Sequence, residues 1–251
     1  MMCKSCGGII TDATQTKCPK CGQQLQPAED AGRVINRTLA RPRISAELDF
    51  ATTVDRTGSS LAFQMGIPLA YEKIVRGIEQ MVRDVKLYLF SHGDLDCNEE
   101  TILLTNGGTA EQAVADVKSI AYGGGGDAEE THLDAIEHVM NHVPWRNRPN
   151  KSRSALLAFL TDDSKPCRSG LTPRQLGEEL KQRGILFYLI CQPTPTLSEL
   201  VDAAGGLMFA ISNSPDPKEL EQIANQLTAS IHAATSTSTT KPLAITNSGT
   251  H

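Results

Sequence analysis

The chain has 251 residues, is 39% hydrophobic and 21% charged, and carries a formal charge of −5 at pH 7. This is the composition of a soluble globular chain with room for one sizeable domain and a small accessory. It gives no support for a basic nucleic-acid stripe or a patch for an anionic membrane. No run approaches the ~20 apolar residues of a membrane span. The opening Met1-Met2-Cys3-Lys4-Ser5-Cys6 lacks the apolar stretch of a secretory signal, so a cytoplasmic chain is expected.

In chain order, the first signal is a pair of knuckles, Cys3-x-x-Cys6-Gly7 and Cys18-Pro19-Lys20-Cys21-Gly22, separated by eleven residues. Two thiolates on one tight turn bind one face of a tetrahedral metal, and a second turn closes the other face. Four ligands with no open position point to structural Zn²⁺ held by Cys3, Cys6, Cys18 and Cys21. So short a stretch cannot bury a core of its own, and metal binding would supply its folding energy. The knuckles resemble a zinc ribbon, over residues 1–22. Iron is the alternative ion, but no aromatic cluster surrounds the cysteines. The remaining Cys97, Cys167 and Cys191 are scattered, which fits a reducing compartment better than a disulfide scaffold. Residues 23–42 are polar, and with Pro27, Pro42 and the nearby Arg33, Arg37, Arg41 and Arg43 they read as a solvated linker.

From Ile44 the pattern alternates. Strands are expected over 44–54, 85–90, 101–104, 154–160, 185–190 and 207–211. Helices are expected over 71–82, 110–120, 127–143, 173–183, 197–203 and 216–231. Such alternation predicts an α/β domain over 43–232 with a doubly wound, mainly parallel sheet. The Ser- and Thr-rich tail, 233–251, has no apolar period and is expected to be disordered.

The chemistry concentrates at strand ends. Asp55-Arg56-Thr57-Gly58-Ser59 closes the first strand, and Asp162 closes the one over 154–160. Side chains two residues apart in extended chain point the same way, so Asp55, Thr57 and Ser59 can converge. In an open α/β sheet, ligands bind beyond the carboxyl ends of the strands where the strand order reverses. With the order 3-2-1-4-5-6, the two aspartates meet there. Between them lies Gly123-Gly124-Gly125-Gly126, followed by Asp127 and Glu130. Carboxylates and hydroxyls form a hard oxygen cage suited to Mg²⁺ or Mn²⁺. Two carboxylates repel without a cation, so removing Asp55 is expected to cost the metal-free fold little.

Plainer readings compete. A capping box opening the helix from residue 127 accounts for Asp127 and Glu130 without metal. Asp162 and Asp163 suit a strand-end turn. His132, His138 and His142 read as a solvated helix face, His92 as a loop residue that could rim the site, and Trp145 as packing for a helix end. The glycines are not spaced as a dinucleotide fingerprint, and neither a Walker loop nor a hydrolase elbow is present.

On these residues the stretch 43–232 resembles a von Willebrand factor A (vWA) domain. Asp55-x-Thr57-x-Ser59 is similar to the family's Asp-x-Ser-x-Ser metal-ion-dependent adhesion motif (MIDAS), with Thr for the first Ser. Leu160-Thr161-Asp162 resembles its strand-terminal Thr-Asp, and 123–130 its glycine-rich loop. Many members carry a threonine ligand in that loop. Here Asp127, Glu130 or solvent would take its place. The resemblance implies a non-enzymatic module that binds a protein partner, with an Asp or Glu of that partner completing the coordination of the ion. Members working with AAA+ ATPases, chaperones or kinases supply the implied partner classes. No membrane partner is expected. The alternatives are a Mg²⁺-dependent phosphoryl-transfer or hydrolytic enzyme, with His92 as the nearby base, and a nucleic-acid-associated zinc-ribbon adaptor. The adaptor is disfavoured by the 4% aromatic content and a ribbon with no stacking residue.

Overall fold

A computed structural model describes residues 17–18, 20–22, 44–126, 129–148, 150–213, 215–237 and 242. The chain divides into two compact units, Met1–Pro42 and Arg43–His251. In the first, the second knuckle closes as a turn: the Gly22 amide donates to the Cys18 carbonyl at 2.9 Å. Gly22 has φ +73°, a left-handed conformation that glycine adopts without a Cβ clash. Cys18 is buried and Cys21 exposed. Cys3, Cys6 and the linker segment 23–42 lie outside the described residues.

The second unit is built on six strands: β1 Ile44–Asp55, β2 Val82–His92, β3 Ile102–Gly108, β4 Ser152–Phe159, β5 Ile185–Cys191 and β6 Leu207–Ala210. They lie in the order β3-β2-β1-β4-β5-β6. All pairs are parallel except β2–β3. The helices are α1 Gly66–Met81, α2 Ala110–Lys118, α3 His132–His142, α4 Pro173–Gln182, α5 Pro195–Ala204 and α6 Pro217–Thr237. Residues from α1, α2 and α6 build the core on one face of the sheet, and residues from α3, α4 and α5 build it on the other. Both faces are covered, so β5, Ile-Leu-Phe-Tyr-Leu-Ile-Cys, is apolar and buried at every position. No helix among the described residues is long and apolar enough to cross a membrane.

The polar residues of β1 are accommodated by specific partners. Asp49, fully buried, accepts from Arg146 Nε at 2.7 Å and from the Arg146 backbone amide at 2.6 Å. That ion pair pins the segment after α3 against the sheet. Trp145 beside it donates Nε1–H to the Met140 carbonyl at 2.9 Å, closing the end of α3.

Of the expected boundaries that the structure moves, three change the reading of particular residues. α3 starts at His132, not at residue 127. Glu130 lies ahead of it in a parallel bridge to Ser164, where its amide donates to the Asp163 carbonyl and its carbonyl accepts from the Lys165 amide. Backbone pairing with the segment after β4 has replaced the helical turn, so Glu130 is not a capping-box residue. Asp127 lies outside the described residues. β2 extends to His92, which is paired with Asp55 across the sheet. α6 runs to Thr237, past residue 231, because Ala234 and Thr235 are buried and the hydroxyls of Thr235, Ser236 and Thr237 bond back one turn along the helix.

Candidate metal centre

β1 and β4 are neighbours, with Val54 opposite Phe159, and the chain leaves β1 toward one sheet face and β4 toward the other. The crevice at their carboxyl ends is the switch point where an open α/β sheet binds ligands. Beyond β1 the backbone turns through Arg56, whose amide donates to the His92 carbonyl at 2.9 Å, into a 3-10 helix over Gly58–Phe63.

Asp55 is fully buried and its carboxylate is saturated from within the protein. Oδ1 accepts from the Thr57 amide at 2.8 Å and from Thr57 Oγ1 at 2.7 Å. Oδ2 accepts from Ser60 Oγ at 2.7 Å and Thr161 Oγ1 at 2.6 Å. Ser59 Oγ lies 2.7 Å from Thr161 Oγ1 and 3.0 Å from Thr57 Oγ1. Each hydroxyl has one proton, and those of Thr57 and Thr161 are already given to Asp55. Ser59 must therefore give its single proton to one of them, with Thr161 the nearer acceptor. Every hydroxyl proton in the cluster is committed internally, leaving oxygen lone pairs free. Ser59, the exposed member, carries this set to the surface.

Asp55, Thr57 and Ser59 are brought together as the sequence implies. Ser60 is a member it did not single out, and Thr161 entered only within the strand-terminal Thr-Asp. The signal available was a second serine directly after Ser59 and a hydroxyl directly before Asp162. Asp162, half-buried, has no hydrogen-bond partner among the described residues. Asp163 is occupied instead as a loop anchor, accepting from Thr194 Oγ1 at 2.6 Å and Thr196 Oγ1 at 3.2 Å.

The glycine loop folds over the site. The Gly123 amide donates to the Arg56 carbonyl at 2.8 Å, and the Gly58 amide to the Gly124 carbonyl at 3.1 Å. Gly124 has φ +94°, a conformation that L side chains rarely adopt, so the loop favours glycine at that position. Glu130 comes up beneath the loop. It is 2% exposed, and its Oε2 is buried with no hydrogen-bond partner among the described residues. Burial, together with the negative charges of Asp55 and Asp94, pushes its carboxyl up to about 7. A buried carboxylate with an oxygen unpartnered among the described residues, beside an ionised aspartate, is a donor set that would fit a cation.

Behind the site is a buried imidazole pair. His92 Nδ1 lies 2.8 Å from Thr53 Oγ1, and His92 Nε2 lies 3.0 Å from His132 Nδ1. His132 is fully buried, which corrects the solvated-face reading; starting α3 five residues late turned it into the sheet. Burial, and the neighbouring His132, push His92 down to about 3. Burial by itself would raise Asp55, but His132, His92 and the bonds from Thr161 and Thr57 hold it at about 2. At neutral pH the imidazoles are uncharged and Asp55 is ionised, so the hydroxyls and the amide do the stabilising. His142 is exposed and stacks on His138 with ring centroids 3.8 Å apart, whereas His138 is half-buried, edge-on to Phe90 of β2 with centroids 6.0 Å apart.

Another group of possible ligands, Asp134, Glu137 and Cys167, has atoms within 4.8 Å of one another. Its contacts stitch the loop after β4 to α3: Asp134 accepts from the Arg168 amide at 2.9 Å, and Cys167 Sγ donates to Glu137 at 3.1 Å. Those bonds engage Glu137, Cys167 and Asp134 Oδ1, while Asp134 Oδ2 is buried with no hydrogen-bond partner among the described residues.

No protein-family model and no curated protein sequence matches the chain. Among solved structures, the chain is similar to the crystal structure of the SpRpn10 VWA domain, with a TM-score of 0.52 at 14% identity over 72% of this chain and 95% of that one. At that identity the likeness is one of fold: the unit from Arg43 onward carries a vWA-type α/β architecture, with its oxygen cluster at the switch point of the sheet.

Proposed function

We propose that the α/β domain is a divalent-cation-dependent protein-binding module without enzymatic activity, which captures an Asp or Glu side chain of its partner. The observation that carries this reading is the inward commitment of every hydroxyl proton around Asp55, which leaves a hard, electron-rich oxygen set with Ser59 at the surface. Thr57 and Ser59 would hold Mg²⁺ or Mn²⁺ directly, with the charge supplied by Asp55, Asp162 and Glu130. Asp127 remains a further candidate ligand. A bound divalent ion would provide a Lewis-acidic point for a carboxylate, and Glu130 would compete internally for the same coordination position.

The hydrolytic alternative is less well supported. His92 is 1% exposed with both ring nitrogens engaged, so it cannot reach a substrate or an attacking water as general base. The test is Mn²⁺ titration of the full chain followed by water-proton relaxation. Saturable binding with enhanced relaxation is expected, and a blocked aspartyl peptide should reverse the enhancement where the asparaginyl peptide does not. Equal displacement by both peptides, or no saturable binding, would refute the proposal.

For the first unit we propose one structural Zn²⁺ on Cys3, Cys6, Cys18 and Cys21. Cys97, Cys167 and Cys191 form no disulfide among the described residues, which suits a reducing, cytoplasmic setting. Since Arg43–His251 is a compact unit of its own, Cys18→Ser should release zinc and leave the unfolding midpoint of the α/β domain within about 2 °C of the parent. Metal analysis finding neither zinc nor iron in a reduced preparation would dismiss the site. AAA+ ATPases, chaperones and kinases are the partner classes to screen.

A further inference from the structure

Next to the oxygen cluster the surface changes character. Five large apolar side chains are exposed among the described residues, and three of them, Leu61, Met65 and Leu69, follow Ser59 closely in sequence. Met65 is 76% and Leu69 59% exposed. These two and Lys73 are spaced by four, so they form one stripe along the start of α1. The stripe is one wall of a cleft of about 380 Å³; Pro215, Pro217 and Leu220, at the entry to α6, form the other, and Phe63 and Ala62 lie at its head. Lys73 and Glu221 pair across it and close the far end. The opposite end begins at the 3-10 helix bearing Ser59.

We infer that this cleft takes an apolar side chain of the same partner segment whose carboxylate meets the cation, so that the recognised element is an acidic residue with a Leu-, Ile-, Met- or Phe-type residue a few positions away. The inference rests on the cation reading above. Ser59 and Ala62 belong to one 3-10 helix, so at ~2 Å rise per residue the backbone at the head of the cleft lies about 6 Å along the axis from Ser59. An extended partner advances ~3.3 Å per residue, so the two anchors fall two to four residues apart. The two subsites are complementary in kind: a cation that draws an acid, beside a cleft whose one charge pair is already internally neutralised. A single carboxylate gives little selectivity, since every protein surface carries many. The cleft supplies the second condition, and a buried aliphatic or aromatic anchor is the usual source of affinity in such contacts.

The test is selection of a random dodecapeptide phage library on the full chain in Mn²⁺, followed by fluorescence anisotropy of the recovered peptides. Recovered sequences should share an acid and a bulky apolar residue at fixed spacing. Met65→Glu and Leu69→Lys should each weaken them at least tenfold while Mn²⁺ affinity stays unchanged, and Asp55→Ala should abolish binding. Peptides carrying the acid alone, or indifferent to both cleft variants, would overturn the cleft proposal and leave the cation reading standing. Peptides that bind equally in chelator and to Asp55→Ala would overturn the cation reading and the paired recognition built on it. An empty selection counts against the pairing. Sedimentation velocity completes the test: a dimer that Met65→Glu dissociates would mean that a second copy of this chain fills the cleft, which also refutes the proposal.

Discussion

Asp55→Ala is expected to weaken Mn²⁺ binding by more than about 100-fold, since outer hydrogen-bond partners of metal ligands alone are worth 10- to 100-fold. It is also expected to destabilise the metal-free domain by about 2–4 kcal/mol. The second effect reverses what charge repulsion alone suggests. Asp55 accepts four hydrogen bonds, and its removal strands the hydroxyls of Ser60 and Thr161 and both donors of Thr57. Asp55→Asn keeps one acceptor oxygen and should lose less stability while still losing the ion. The wild type contains the same contribution as a pH effect. The Asp55 carboxyl is lowered from 3.8 to about 2, so its share of stability is present above pH 3.8 and is lost as the pH falls through 2. Urea melts at pH 7 and Mn²⁺ titrations of the three proteins measure both quantities. Unchanged Mn²⁺ affinity in Asp55→Ala would remove the metal assignment, and an unchanged melt would contradict the hydrogen-bond account.

The sheet and the position of the oxygen cluster were legible in the sequence for one reason. Strand-length apolar runs alternating with helical periods constrain the topology, and the topology dictates where strand ends meet. Asp55, Thr57 and Ser59 share a local spacing, so their convergence could be read from five consecutive residues. Thr161 and Ser60 could not be assigned this way. Their role depends on the contact of β1 with β4 and on which way a 3-10 turn rotates one serine relative to the next. The capping-box reading of Glu130 and the solvated-face reading of His132 failed because acids before an amphipathic run are ordinary helix starts. What displaced the helix was pairing with residues 163–165, more than thirty positions away, which no local pattern reports. The same shift carried His132 from the solvated face to the back of the site. The cleft beside Met65 was equally invisible, because its two walls, α1 and the entry to α6, are distant in sequence.

Glu130 gives the sharpest discrimination between a metal site and a vestige of one. Its carboxyl is raised from 4.5 to about 7, so the metal-free folded state holds a proton that the unfolded chain releases. The contribution is fully present below pH 4.5 and is lost as the pH rises through 7, so the metal-free protein should lose up to about 3 kcal/mol across that window. Glu130→Gln should abolish that slope and be the more stable protein at pH 8. With the cation present the dependence inverts. The ion must displace the proton, so wild-type Mn²⁺ affinity should rise roughly tenfold per pH unit below 7 and level off above it, whereas the Gln variant should show no such rise. Charge then decides what happens to a partner. Asp55, Asp162 and Glu130 together overcompensate a divalent ion, and an incoming carboxylate meets a site of net negative charge. Removing one of those charges makes the bound ion more attractive to an acid. Glu130→Gln is therefore expected to hold Mn²⁺ more weakly at pH 8 yet capture an aspartyl peptide more tightly once the ion is saturating. Weaker binding of both the ion and the peptide would show that Glu130 supports the partner site; stronger peptide capture would identify it as the internal carboxylate that a partner must displace.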